Sequence, residues 1–324
     1  MKRLISFVLC ICMIFALCAC GEPEPQPTPE PTEAGSDYTP VTFTNHGKSV
    51  TVSEMPEKVV TAGPNCTEVF CALGLAERVV GKFMENHSQG ALPELKDAVD
   101  GIPTLFEGYP TLKDITDSGC DFIYASSWIF DSDLSVSELE SAGITVFVSE
   151  AATLDDLWGE LRDLGRIFGV DAEELIKSET ERIDAVTEAL GDAEPKKVLV
   201  LDSLIGEQVY TAGGGNIETA YIESAGGVNV FAELSKPWDA VSREDVLASN
   251  PDYIIIHDYK GSSFDDKLAA LKADPILSNL DCIRNGRVIE LSLENVMPGA
   301  RSALTIETMA HAMFPELFET ADGQ

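Results

Sequence analysis

The chain has 324 residues, 44% of them hydrophobic, and its 22 Lys and Arg against 55 Asp and Glu give a formal net charge of −33. That length favours two lobes, the composition excludes a disordered or collagenous chain, and so acidic a surface repels nucleic-acid phosphates and anionic lipid headgroups. Its one long apolar run, residues 4–19, falls short of the roughly 20 residues of a spanning helix, which excludes a polytopic channel or transporter.

Lys2 and Arg3 ahead of that run predict a secretory signal peptide over residues 1–19. Its ending, Leu17-Cys18-Ala19-Cys20, resembles a lipobox, which implies Cys20 as the lipidated residue and an extracytoplasmic domain held at the cell membrane. Between Gly21 and Glu33 prolines alternate with Glu, Gln and Thr. Prolines remove backbone donors and the glutamates repel one another, so residues 20–40 form an extended tether. Cys66, Cys71, Cys120 and Cys282 remain beyond it, and they are read as buried thiols because Cys66 and Cys71 lie five apart on one predicted helix. With no Cys-x-x-Cys, neither a redox pair nor a structural zinc site is indicated.

The globular part opens with two alternating runs around Asn45-His-Gly-Lys48, a β-hairpin signal. Short β-rich runs follow at 58–62, 78–83, 121–126, 145–149, 197–202, 252–257 and 287–291. Helical patterns lie between them at 66–75, 111–118, 135–142, 216–225, 243–249, 264–273 and 303–313. Such alternation predicts parallel sheets covered on both faces. It is interrupted once, by helical stretches at 154–168 and 171–190. In the second, Ala172, Ile176, Ile183, Val186 and Leu190 mark one face and Glu179 breaks the row. A helix of this length reaches about 30 Å, enough to cross the molecule. The expected organisation is an N-terminal α/β lobe over 41–170, an inter-lobe helix over 171–191, a C-terminal α/β lobe over 192–324, and a cleft between the lobes.

Seven segments in this order carry a resemblance: Pro56-Glu-Lys-Val-Val60 with Glu68-Val-Phe-Cys-Ala-Leu-Gly74 and Arg78-Val-Val-Gly81; Pro110-Thr-Leu-Lys-Asp-Ile115; Val241-Ser-Arg-Glu-Asp-Val-Leu247; Asn250-Pro-Asp-Tyr-Ile254; and Arg284-Asn-Gly-Arg-Val288. Over residues 41–318 the chain resembles the substrate-binding lipoproteins of ABC importers for iron-siderophores, haem and cobalamin. The resemblance implies the class III periplasmic-binding-protein fold: two Rossmann-like α/β lobes with mainly parallel sheets joined by one long backbone helix. It further implies a metal chelate or macrocycle held in the cleft, a permease and its ATPase as partners, a monomer, and no cofactor of its own. Membrane contact is expected through the lipid anchor only. The alternative is a non-transport lipoprotein or an enzyme using the same cleft. Catalysis is not expected, since no Gly-x-Ser-x-Gly, His-Glu-x-x-His or helix-opening Gly-x-Gly-x-x-Gly is present.

Ligands of open α/β sheets sit beyond the carboxyl ends of the strands. This selects Asn65, Phe83, Asn86, His87 and Trp128 in the first lobe, with Phe106 and Tyr109 just ahead of a predicted helix. In the second it selects Tyr210, Trp238, His257, Tyr259, Met297 and Arg301. Trp238 stands six residues before Glu244, a spacing similar to that of a ligand-stacking tryptophan in cobalamin-binding members, and its π-face suits a planar macrocycle. His87 and His257, one per lobe, invite metal ligation, although a lone loop histidine more often serves as a hydrogen-bonding group. No three- or four-ligand cluster for a bare metal ion is seen. Arg301 resembles a basic family position that meets a ligand carboxylate or phosphate. Thr211-Ala-Gly-Gly-Gly-Asn216 lacks the ending of a P-loop and reads as a flexible turn. The resemblance also implies docking through one carboxylate per lobe. Glu244 matches in the second lobe; in the first, Lys113 stands where a glutamate is expected, leaving Asp114.

Overall fold

Alternating residues pair Val41–Asn45 (β1) with Lys48–Val52 (β2) in an antiparallel hairpin, closed by His46 and Gly47 at φ 49° and 69°, the left-handed conformations that a tight hairpin turn demands. The computed structural model describes residues 38–131 and 133–318, apart from the side chains of Asn86 and Asp131. The predicted signal peptide, Cys20 and the tether up to residue 37 lie outside the described residues.

Next come β3 (Val59–Ala62), α1 (Pro64–Ala72), β4 (Val79–Phe83), α2 (Lys96–Gly101), β5 (Thr104–Phe106), α3 (Leu112–Asp117), β6 (Phe122–Ser126), α4 (Val136–Ser141) and β7 (Thr145–Ser149). The five strands form a wholly parallel sheet in the order β5-β4-β3-β6-β7. Every residue of β3 and β6 is buried, which is why both read as continuous apolar runs. Thr111 and Ser135 each open a helix with a capping box, closed three residues on by Asp114 and Glu138.

Two helices, α5 (Leu154–Phe168) and α6 (Glu173–Leu190), lead to the second half of the molecule. It comprises β8 (Lys196–Leu201), β9 (Ser203–Ile205), β10 (Gln208–Ala212), α7 (Ile217–Ser224), β11 (Gly227–Asn229), β12 (Trp238–Ser242), α8 (Arg243–Ser249) and β13 (Tyr253–Asp258). These are followed by α9 (Phe264–Ala273), α10 (Asp281–Arg284), β14 (Val288–Ser292), α11 (Ser302–Met313) and α12 (Pro315–Phe318). A parallel sheet runs β11-β8-β13-β14, and a three-stranded antiparallel sheet runs β12-β10-β9.

One face of each large sheet carries its own apolar cluster. In the first lobe Val60, Ile123 and Val146 pack with Ile115 and Leu139; in the second, Leu199, Ile254 and Ile256 pack with Val246 and Leu271. The opposite faces share a single cluster that runs from Phe70, Phe122 and Phe168 through Ile176, Ile183 and Val186 to Val198, Tyr221 and Met309. The lobes therefore meet over a continuous apolar floor, and opening them wide would expose it to water. Glu179, which interrupts the apolar row of α6, is buried because its carboxylate accepts the Ala303 N–H at the start of α11 (2.8 Å), where the helix dipole favours negative charge. The four cysteines are free and buried. Among the described residues no helix is long and apolar enough to cross a membrane.

The predicted flexible turn at 211–216 is instead tightly packed. Gly213 and Gly214 donate to the carbonyls of Pro237 and Leu234 (2.9 and 3.3 Å). A Cβ on either would lie 2.2 Å from the Lys236 oxygen or 2.1 Å from the Ala232 oxygen, so close backbone approach requires glycine at both positions.

Candidate ligand-binding cleft

A cleft of about 520 Å³ opens where the carboxyl ends of the strands of both lobes converge, a volume suited to a small-molecule ligand. Antiparallel pairing of β10 with β12 sets Tyr210 against Ala240 and Ala212 against Trp238. Tyr210 and Trp238 are thus diagonal neighbours on one face, and their rings stack at 5.7 Å and 18°. Across the cleft Trp128 follows β6, and Tyr109 meets it edge-on at 5.8 Å. His87 lies between Trp128 (5.7 Å, 8°) and Tyr259 (5.3 Å, 18°), so a stack of three rings joins the two lobes. Burial pulls the His87 imidazole below its ordinary value despite the nearby Asp202 charge. Neither His87 Nδ1 nor Trp128 Nε1 has a hydrogen-bond partner among the described residues. Buried orphans of this kind are rare in a finished fold and suit a bound guest.

Beneath Trp238 the floor is ionic. His257 on β13 is fully buried, with Nδ1 3.1 Å from Asp202 Oδ1 and Nε2 3.1 Å from both oxygens of Glu218 in the first turn of α7. Burial alone would lower its pKa, but Glu218 and Asp202 outweigh that and hold it up at about 9. For Asp202 burial pushes the other way, and the hydrogen bond and charge of His257 bring its carboxyl below the usual range. Lys267 donates to the His257 carbonyl (2.7 Å) with its amine 3.9 Å from the Tyr259 ring centroid, and burial lowers its pKa to about 8. On the opposite rim Glu150 accepts from the His46 N–H and meets His46 Nδ1, each at 2.8 Å. No Lys or Arg is among the described residues that line the cleft, and no three His, Cys, Asp or Glu side chains among the described residues are disposed to hold a metal ion.

Of the predicted ligand contacts, His87, Tyr109, Trp128, Tyr210, Trp238, Tyr259 and Met297 line this cleft. Five others lie elsewhere. Phe83 is wholly buried on β4, inside the strand and packed in the core on the sheet's far side from α6. Asn65 is buried at the start of α1, accepting from Ser126 Oγ (2.7 Å) and donating to the Pro298 carbonyl (2.8 Å). His257 underlies the cleft and has no exposed surface. Phe106 is 49% exposed on edge strand β5, outside the lining. Arg301 is committed to Glu68: Nε and Nη2 meet its two oxygens at 2.6 and 2.5 Å, while Nη2 also donates to the Gly90 carbonyl (2.6 Å) and Nη1 to Asn295 (2.8 Å). The side chain of Asn86 lies outside the described ones. Asp202 and Glu150 were missed, although each directly follows a strand and the carboxyl-end rule reaches both.

These features define a two-lobed binding protein whose ligand sits between the lobes. The family model described as Periplasmic binding protein matches residues 59–293, and the chain belongs to that family, whose members are extracytoplasmic binding proteins. A cobalamin-binding protein of Halobacterium salinarum is 25% identical over 271 residues, covering 82% of this chain and 71% of that one. The ABC transporter substrate-binding lipoprotein YvrC of Bacillus subtilis is 24% identical over 290 residues, 86% and 87% of the two chains. A solved periplasmic binding protein from Veillonella parvula superposes with a TM-score of 0.75 at 27% identity, covering 85% of this chain and 97% of that one.

Proposed function

We propose that the chain captures a corrinoid in the cleft and passes it to the permease of an ABC importer, working as a monomer held at the membrane by a lipid on Cys20. The observation that carries this reading is the lining itself, with aromatic plates from both lobes, Trp128 and Tyr109 facing Trp238 and Tyr210, and no lysine or arginine among the described lining residues. Broad flat walls suit a macrocycle. Haem carries two carboxylates and a ferric tris-catecholate three negative charges, and both would meet Asp202 and Glu150 with no cation to answer them. A corrinoid rimmed by neutral amides meets no such penalty. The cobalamin-binding relative supports the ligand class, and the lipoprotein relative supports the anchor. Catalysis has no part in this reading.

Intrinsic tryptophan fluorescence separates the candidates. Cyanocobalamin is expected to quench Trp128 and Trp238 at micromolar or lower concentration, and Trp238→Ala to weaken binding by about tenfold, the scale of one lost aromatic contact. Tight binding of haemin or a ferric catecholate with no response to any corrinoid would overturn the reading.

Docking is proposed through Glu244, which is exposed in the first turn of α8, and through Asp114 in the first lobe. The Asp114 carboxylate already accepts from Thr111 N and Oγ1 (2.8 and 2.6 Å), which lowers its pKa and ties it to its own helix cap. Glu244 is therefore the stronger of the two. Reversing its charge in Glu244→Arg is expected to cut uptake by cells about tenfold and leave the affinity of the purified protein unchanged. Reduced affinity would make Glu244 a structural residue instead.

A further inference from the structure

Asp202 directly follows β8 and reaches the cleft with its side chain 18% exposed. The proton arrangement beneath it follows from geometry. A neutral imidazole has one N–H and one lone pair, yet His257 faces carboxylate oxygens through both ring nitrogens at 3.1 Å, so the ring carries both protons. Lys267 sits behind the same strand with its amine on the His257 carbonyl. Both positive charges are therefore buried behind the cleft wall, and the end of the cluster presented to a ligand is negative. Glu150, the other lining carboxylate, is already engaged through both oxygens by His46. Ser203 and Tyr259 also bear on Asp202, but a carboxylate has about four lone-pair positions and can take a further donor.

We propose that Asp202 is the specificity-determining contact of the cleft: it accepts a hydrogen bond from an amide N–H or cationic group of the ligand, with His257 as its positioning residue, and so selects against ligands of the same shape that present carboxylates. This rests on the chain being a chelate- or macrocycle-binding protein, but not on the macrocycle being a corrin.

Two matched ligand pairs, titrated by tryptophan fluorescence at neutral pH, test it. The first is cyanocobalamin against the same corrinoid with its peripheral amides hydrolysed to carboxylates. The second is ferrioxamine B, with its pendant ammonium, against its N-acetylated neutral form. Wild-type protein is expected to favour the amide and ammonium members by about 10- to 100-fold, the scale of a hydrogen bond to a charged group. Asp202→Asn should bring the ratios to within about threefold, and Asp202→Glu, which restores the charge, should recover part of the preference. A wild type without preference, or a folded Asp202→Asn that keeps it, overturns the proposal. If only the ferrioxamine pair binds and behaves as expected, the corrinoid reading fails and Asp202 stands. If the corrinoids bind but Asp202→Asn changes nothing, the reverse holds, and silence from all four ligands removes both. The positioning role is read separately by NMR, where the His257 imidazole titration is expected to move down by at least about one pH unit in Asp202→Asn; an unmoved titration refutes it.

Discussion

Replacing Arg301 with methionine is expected to lower the melting temperature by about 10 °C while leaving ligand affinity within about threefold of wild type. The guanidinium reaches from the start of α11 across to Glu68 on α1, and the same pair of side chains secures the Gly90 carbonyl and the Leu92 N–H. Both partners are nearly excluded from solvent, with side chains 9% and 3% exposed. Removing one member of such a pair leaves the other as an uncompensated buried charge, which costs about 3–5 kcal/mol. In a chain of this size each kcal/mol moves the transition by about 2–4 °C. Replacing both, as Glu68→Leu with Arg301→Met, is expected to regain most of the loss, because an apolar pair of similar volume avoids the desolvation that the ion pair must overcome. Thermal unfolding of the two single variants and the double variant measures the coupling. If Arg301 instead met the ligand, Arg301→Met would lose affinity with little change in melting temperature.

Arg301 also shows where reading the sequence stops. Its partner lies 233 residues away, and nothing local distinguishes an arginine held by a distant glutamate from one held by a ligand. His257 is a similar case: a polar residue at the end of a β-rich run suggests a loop, whereas β13 extends to Asp258 and the ring points down onto Glu218. The central parallel strands and most of their covering helices were legible because strands buried on both faces leave uninterrupted runs of Val, Ile and Leu, whereas the three-residue edge strands β5 and β11 were missed, with β5 exposed throughout and too short to show a pattern. The antiparallel sheet of β9, β10 and β12 left no such trace. Its strands are three to five residues long, half exposed, and separated by a glycine-rich segment whose packing against residues 232–237 is a tertiary effect. Trp238 and Tyr210 were nonetheless found from their residue type and, for Trp238, from its spacing to Glu244. The pairing that makes them one wall of the cleft was not legible.

Stability is expected to fall as pH rises from 6.5 to 8, and two buried groups set the sign. His257 is held at about 9 in the folded chain against an ordinary 6.5, so its contribution is complete below about 6.5 and is lost as pH climbs through about 9. Burial likewise pushes Glu160 up to about 8: its carboxyl keeps a proton that the unfolded chain gives up near 4.5, and this contribution is also lost on going upward. Across the window the folded state binds about 1.5 more protons than the unfolded state, each worth about 1.4 kcal/mol per pH unit, for a loss on the order of 3 kcal/mol. Lys267, lowered to about 8, acts in the opposite sense, because its burial cost fades as its amine becomes neutral, and it begins to flatten the curve in the upper part of the window. Melting temperatures measured at half-unit steps are expected to drop by about 10 °C over the window. Glu160→Gln removes one of the two groups and should halve the slope, while leaving the Asp202–His257–Glu218 cluster in place to account for the remainder. A melting temperature that is flat or rising between pH 6.5 and 8 in Glu160→Gln would mean that His257 does not carry both protons under the cleft.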